Sequence, residues 1–312
     1  MNKTKNEIGL DGIEFIEFSS ETSGHLSELF EGFGFSKVLE NKKQKVDLYR
    51  QGDINLLVNQ QKNSFAEEFQ KKHGPCVSSM AWKVFDAQKS YNLALKRGAV
   101  PATNGDYSLG EEKILAIQGI GESIIYFVEN DNSSSLYQKM GFSEVEKPKK
   151  IESLGFITVD HLTNNVPKGE MEQWSNFYKD IFDFTEVRYF DIRGAKTGLI
   201  SYALRSPCEK FCIPINEGTE ERSQINEYLR EYKGSGVQHI AFTTEDIVET
   251  VKNLQSTKIS TLDIDPEYYQ EVFERVPNVT ENHKDLESLN ILVDGDEKGY
   301  LLQIFTKNVI GP

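Results

Sequence analysis

The sequence predicts an α+β fold built from tandem βαβββ modules, two in each half of the chain, whose sheets curl into two barrel-like domains. Three observations predict it. The order of apolar strand-like runs and amphipathic helices in residues 1–150 is repeated in residues 151–312. A charged, proline-containing stretch, Glu146-Lys147-Pro148-Lys149-Lys150, separates the copies. The length, 312 residues, suits two domains, each large enough to bury its own core.

The elements follow in order. Gly12-Ile13-Glu14-Phe15-Ile16-Glu17-Phe18 precedes a helical stretch carrying Leu26, Leu29, Phe30 and Phe33 on one face. In the second half, residues 157–162 precede Trp174, Phe177, Tyr178, Ile181 and Phe182 at the same spacing. A hairpin follows each helix, residues 46–50 with 54–58 around Gln51-Gly52-Asp53, and residues 186–192 with 198–204 around Arg193-Gly194. The strand Val77-Ser78-Ser79-Met80-Ala81-Trp82 then leads into a helix with Tyr91, Ala94 and Leu95, as residues 237–242 lead into one with Ile247, Val248, Val251 and Leu254. Residues 113–118 and 123–129 close the first half as strands, whereas the second half offers residues 300–305 alone. The partner of residues 123–129 is therefore expected after Pro312. Residues 214–236 and 266–296 read as insertions special to the second half, where a substrate site would add loops.

Concave faces of curled sheets are natural ligand sites, and one histidine pair marks such a face. His161, in Val159-Asp160-His161-Leu162, and His239, in Gly236-Val237-Gln238-His239-Ile240-Ala241-Phe242, open corresponding modules of the second half. Laying the halves over each other places His161 opposite Glu17 and His239 opposite Ser79, so the first half cannot hold the same metal. His25, His73 and His283 lie in helix-start or polar loop sequence and read as surface residues. Two histidines with one carboxylate leave three positions of an octahedral metal open, the arrangement of non-haem Fe(II) oxygenases, where O₂ and a chelating 2-oxo acid can bind.

Composition excludes other classes. A net charge of −14 repels phosphate backbones and argues against a nucleic-acid partner. No apolar run approaches the roughly 20 residues of a membrane-spanning helix, and no signal-peptide core precedes the first strand, so the chain reads as cytoplasmic. Cys76, Cys208 and Cys212 are too few for a disulfide framework, and Cys208 and Cys212 have neither a second cysteine pair nor a nearby histidine to complete a zinc site.

Five stretches, Val159-Asp160-His161-Leu162, Arg188-Tyr189-Phe190-Asp191-Ile192, Ile213-Pro214-Ile215-Asn216-Glu217, Gly236 through Phe242, and Leu301-Leu302-Gln303-Ile304-Phe305, occur in the order found in the 4-hydroxyphenylpyruvate dioxygenase family, which the chain resembles. The resemblance is dense in the second half and architectural in the first. It implies the vicinal-oxygen-chelate fold, Fe(II) held by His161 and His239, and conversion of 4-hydroxyphenylpyruvate and O₂ to homogentisate and CO₂ in tyrosine breakdown. It implies that Ser201, Asn216, Gln224 and Gln238 bind or orient the substrate, and that Gln303 and Phe305 line its ring. It also implies a third ligand, a glutamate, and a covering helix beyond Pro312, and a dimer or tetramer.

The residues add their own tests. Gln303 and Phe305 are two apart in a strand and so share a face. Gln238 adjoins His239, and neighbours in a regular strand point to opposite faces, so its direct contact with substrate requires a twist or a bulge. Two rival readings are a hydroxymandelate synthase, which oxidises the benzylic carbon of the same substrate, and a silent aromatic-binding module, which takes up no oxygen.

Overall fold

β1 (Leu10–Ser19), α1 (Ser23–Gly32), β2 (Ser36–Asn41), β3 (Val46–Gln51) and β4 (Ile54–Asn59) form the first module in the computed structural model, which describes residues 5–21, 23–129, 133–193 and 198–311. α2 (Phe65–His73) then leads to β5 (Cys76–Val84), α3 (Ala87–Lys96), a small hairpin of β6 (Ser108–Leu109) and β7 (Glu112–Lys113), β8 (Ala116–Gln118) and β9 (Ile124–Glu129). α4 (Ser133–Lys139) and β10 (Ser143–Glu144) complete this half. The second half runs through β11 (Phe156–Val166), α5 (Met171–Asn176) with a π-helical turn at Phe177–Ile181, β12 (Thr185–Arg193), β13 (Gly198–Arg205), β14 (Cys212–Gly218), α6 (Gln224–Tyr232) and β15 (Gly236–Thr244). α7 (Ile247–Leu254), α8 (Pro266–Arg275), α9 (His283–Ser288) and a hairpin of β16 (Leu292–Asp296) and β17 (Gly299–Gln303) follow.

The two main sheets share one topology. Strand order β2-β3-β4-β1-β5 in the first recurs as β12-β13-β14-β11-β15 in the second, with β1 parallel to β4 and antiparallel to β5, as β11 is to β14 and β15. Equivalent helices begin alike: Ser64 caps α2 by accepting from the Glu67 N–H, and Ser223 caps α6 by accepting from the Asn226 N–H. This corrects the reading of residues 214–236 as an insertion, since they hold β14 and α6, the counterparts of β4 and α2. The β12–β13 hairpin accordingly matches β2–β3, and its Gly194 turn lies outside the described residues. Residues 266–296 do add α8 and α9 in the second half alone. Residues 300–305 are not a lone strand, because β17 pairs with β16 in a separate sheet.

Cross-strand partners decide which residues correspond. Ile13 faces Trp82 and Phe15 faces Ala81, leaving Glu14 as an extra residue; Glu17 faces Ser79 and Phe18 faces Val77, leaving Ser78 extra. In the second half Val159 faces Phe242 and His161 faces Ala241, leaving Asp160 extra; Thr163 faces His239 and Asn164 faces Val237, leaving Gln238 extra. His239 thus matches Ser79, as expected, but His161 matches Phe15, and Glu17 matches Thr163. The alignment by sequence was therefore two residues out along β1 and in step along β5.

That difference empties one barrel and fills the other. The inner face of the first sheet is packed with Phe15, Leu48, Leu57, Ala81, Tyr107, Tyr126 and Tyr137, all buried. Its one carboxylate at the metal-equivalent row, Glu17, is 1% exposed and accepts from Tyr107, Ser78 and Asn59. Burial, and then the nearby Asp106 carboxylate, push Glu17 up to about 7. Because its folded value exceeds the unfolded one, its contribution is fully present below about pH 4.5 and is lost as pH rises through about 7. Glu17→Gln is therefore expected to flatten the stability profile between those limits, where the parent loses roughly 3 kcal/mol. Denaturant titrations of both proteins at intervals across this range check it, and parallel profiles would refute it.

The halves are tightly joined. Gly121, at φ +60°, would carry a Cβ 2.0 Å from the Ser235 carbonyl oxygen, so any side chain there collides with the second half. The Asp53 N–H donates to the Ile157 carbonyl at 2.7 Å beside Gly52, whose φ is +55°. His73, expected on the surface, is 4% exposed because it ends α2 stacked on Tyr232 of α6, ring centroids 4.4 Å apart, with Nδ1 on the Tyr232 carbonyl. His25 and His283 are exposed, as expected. No helix among the described residues is long and apolar enough to cross a membrane.

Candidate metal centre

The inner face of the second sheet carries polar side chains where the first has aromatics. His161, Thr163 and Asn165 alternate along β11 on the side opposite Leu162 and Val166, which are buried in the core. Asn165 faces Asn216 on β14, and Asn216 faces Ser201 on β13, so three amide and hydroxyl groups lie in one row across three strands. Thr163 faces His239 on β15. One concave surface therefore presents both histidines and the polar row.

The histidines converge. Their Nε2 atoms are 3.2 Å apart and their ring centroids 5.3 Å. Each Nδ1 is turned to an acceptor supplied by the bulged residue just before it. His161 Nδ1 donates to Asp160 Oδ2 at 2.7 Å, and His239 Nδ1 donates to Gln238 Oε1 at 2.5 Å. A carboxylate or amide oxygen can only accept from the ring, so the proton sits on each Nδ1 and both Nε2 atoms are unprotonated and close together. Two lone pairs at that distance repel unless a cation lies between them. Metal–nitrogen bonds of about 2.1 Å at a right angle would set the nitrogens about 3.0 Å apart, close to what is found. Burial, and then the electrostatic effect of the neighbouring His161, lower the His239 value to about 4, which keeps it neutral and able to ligate. The donor set fits a divalent metal.

Gln238, expected to bind or orient substrate, makes its side-chain contact with His239 Nδ1. Its bulge brings it to the side of His239, where it fixes the ring and the tautomer. Ser201 is buried at 6% and Asn216 is half-buried beside it. Gln224 is exposed in the first turn of α6. Gln303 ends β17, opposite Leu292, and is half-buried. Phe305 lies past the strand end, so no common strand pleat orients the two. Its ring nonetheless meets His239 edge-on at 5.7 Å. Side chains in 188–192 lie outside the described residues.

Sequence reasoning missed Asp160, Thr163 and Asn165. The period of two from His161 could have found the last two. Asn165 Oδ1 is buried without a hydrogen-bond partner among the described residues, an acceptor open to a donor. Among the described residues no third histidine, cysteine, aspartate or glutamate joins the pair. Among the described residues β15 pairs with β11 alone, whereas its counterpart β5 also pairs in parallel with β9. The best-formed cavity, of about 360 Å³, lies elsewhere, between β1, β4 and the start of β11. Ion pairs Glu14–Lys83 at 3.2 Å and Asp11–Lys210 at 2.7 Å tie up both lysines of its wall, and the cavity holds no histidine, so the histidine face is the better candidate.

Paired curled βαβββ sheets with a histidine couple on one concave face define a metal-dependent enzyme of the vicinal-oxygen-chelate superfamily. Residues 158–302 match the glyoxalase, bleomycin resistance protein and dioxygenase superfamily, and residues 4–143 match the N-terminal domain of hydroxyphenylpyruvate dioxygenase. The chain belongs to the 4-hydroxyphenylpyruvate dioxygenase family. It is 51% identical to protein MelA of Shewanella colwelliana, with 100% of this chain and 90% of that protein covered. To the 4-hydroxyphenylpyruvate dioxygenase of Pseudomonas aeruginosa it is 41% identical, with coverages of 98% and 87%. A solved fusion of a xylose isomerase-like TIM barrel with 4-hydroxyphenylpyruvate dioxygenase superposes at a TM-score of 0.81 with 28% identity, over 99% of this chain and 49% of that one. A triple mutant of 4-hydroxymandelate synthase from Streptomyces coelicolor shares the fold at a TM-score of 0.80 and 21% identity, with coverages of 96% and 89%.

Proposed function

We propose that the protein is an Fe(II)-dependent dioxygenase that converts 4-hydroxyphenylpyruvate and O₂ to homogentisate and CO₂, with His161 and His239 holding the iron. The observation that carries this reading is the pair of Nε2 lone pairs 3.2 Å apart, each ring locked by its own bulge residue. When bound, Fe(II) supplies electrons to O₂ and open positions for the carboxylate and carbonyl of the 2-oxo acid. The third ligand would be a glutamate on a strand added to β15 as β9 is added to β5. Asp160 and Gln238 hold the imidazoles in the ligating tautomer.

Substrate orientation falls to the row of Asn165, Asn216 and Ser201, whose donors and acceptors suit a phenol or a carboxylate, and to Phe305, whose ring suits an aromatic face or edge. Gln303 and Gln224 belong to the same pocket in this reading, supported by family membership. A homo-oligomer, dimer or tetramer, and a cytoplasmic location complete it. The test is oxygen uptake by the iron-loaded protein with 4-hydroxyphenylpyruvate, followed by product analysis. Homogentisate with one CO₂ per O₂ is expected. Hydroxymandelate as product would transfer the chain to the benzylic oxidation, and no uptake would leave it a binding protein.

A further inference from the structure

Thr163 stands where the family reading assigns nothing. It is 1% exposed, and its Oγ1 lies 2.9 Å from His239 Nε2, the same nitrogen that faces His161. Since Gln238 takes the Nδ1 proton of His239, Nε2 is an acceptor, and the Thr163 hydroxyl is the donor. The bulge at Gln238 makes this pairing, because it brings His239 opposite Thr163. Two positions along the same face of β11 lies Asn165, whose buried Oδ1 has no hydrogen-bond partner among the described residues.

We propose that Thr163 is a positioning residue that competes with the metal for His239, holding the ring by its hydroxyl in the metal-free protein and surrendering Nε2 when the metal enters. This inference rests on the two-histidine metal site. A buried hydroxyl deprived of its acceptor needs another, and the free Asn165 Oδ1 on the same face offers one. The hydroxyl therefore changes partners with metal occupancy, and the polar row that receives substrate is reorganised with it. Metal affinity is set lower than the two imidazoles alone would give.

The test is calorimetric titration of the full chain with Fe²⁺ under anaerobic conditions. Thr163→Val keeps the branched shape and removes the donor, so it is expected to bind Fe²⁺ about fivefold more tightly, as loss of one competing hydrogen bond implies. Thr163→Ser keeps the donor and is expected to match the parent. General damage to the site would weaken binding, so a gain separates the proposed role from a structural one. Binding by Thr163→Val at or below the parental affinity overturns the proposal. His239→Ala serves as the control: if it binds Fe²⁺ as well as the parent, the metal-site reading itself fails. If it loses binding while Thr163→Val matches the parent, the Thr163 role alone fails. A second reading needs no variant, because the ¹⁵N shift of His239 Nε2 in labelled metal-free protein reports whether it accepts a hydrogen bond. A free-acceptor shift would contradict the proposal.

Discussion

His239→Ala abolishes Fe²⁺ retention and oxygen uptake, and His161→Ala does the same on its own; this is the largest functional effect the structure predicts. In the proposed centre each imidazole would supply one ligand, and the described residues offer no third. Loss of either leaves a metal held by one ring and whatever lies outside the described residues. Outer partners of metal ligands already cost about 10- to 100-fold in affinity when removed, and a ligand itself costs more. Both side chains are half-buried on an open face rather than in the core, so the fold survives the substitution. The measurement is metal content after desalting, followed by oxygen uptake with 4-hydroxyphenylpyruvate and a circular-dichroism check of the fold. Uptake retained by either variant would remove that histidine from the centre. Gln238→Ala and Asp160→Ala should retain partial binding, since the ring each supports can still reach the metal.

The duplicated architecture and the histidine pair were legible because they rest on periodic signals. Apolar residues at helical spacing and short apolar runs mark elements without tertiary information. Register was not legible. The bulges fall at equivalent places in the two halves, Glu14 with Asp160 and Ser78 with Gln238, so they do not offset the copies; without the cross-strand partners, however, nothing in the apolar pattern fixes which residues correspond, and a comparison by pattern pairs His161 with Glu17 instead of Phe15. The same bulges redirect Gln238 toward His239, against the alternation of an ordinary strand. β14 was passed over because Pro214 breaks its apolar run and Asn216 and Glu217 are polar, although its inner face needs polarity to form the site. His73 has the flanking sequence of a surface residue, and its burial comes from α6, 159 residues away. Contacts between the halves have no local signature.

Trp82→Ala should be the most destabilising single substitution in the interface between the halves, costing about 3–5 kcal/mol. Trp82 lies on β5, fully buried, yet its ring packs against the second half: Phe182 at 4.4 Å, Phe211 at 5.7 Å, Phe184 at 5.9 Å and Tyr178 at 6.3 Å between centroids. Removing it opens a cavity walled by β5 on one side and, on the other, by the π-helical turn and the residues leading into β12 and β14, which are anchored in the other half and cannot all move in to fill it. The hydrophobic cluster around Trp82 runs continuously from Ile8 in the first half to Ile215 in the second, which predicts that the parent unfolds in a single transition. In Trp82→Ala the halves should separate into two calorimetric transitions, because the shared core is interrupted at its widest ring. Trp82→Phe tests whether packing or polarity is at stake. The indole N–H is buried without an acceptor, so replacing it with phenylalanine sheds an unsatisfied donor while keeping most of the ring contacts. That variant should lose far less stability than the alanine one, by scanning calorimetry or denaturant titration. Equal losses would mean that the indole nitrogen has a partner in solution, and an alanine variant within about 1 kcal/mol of the parent would show that the halves are held together elsewhere.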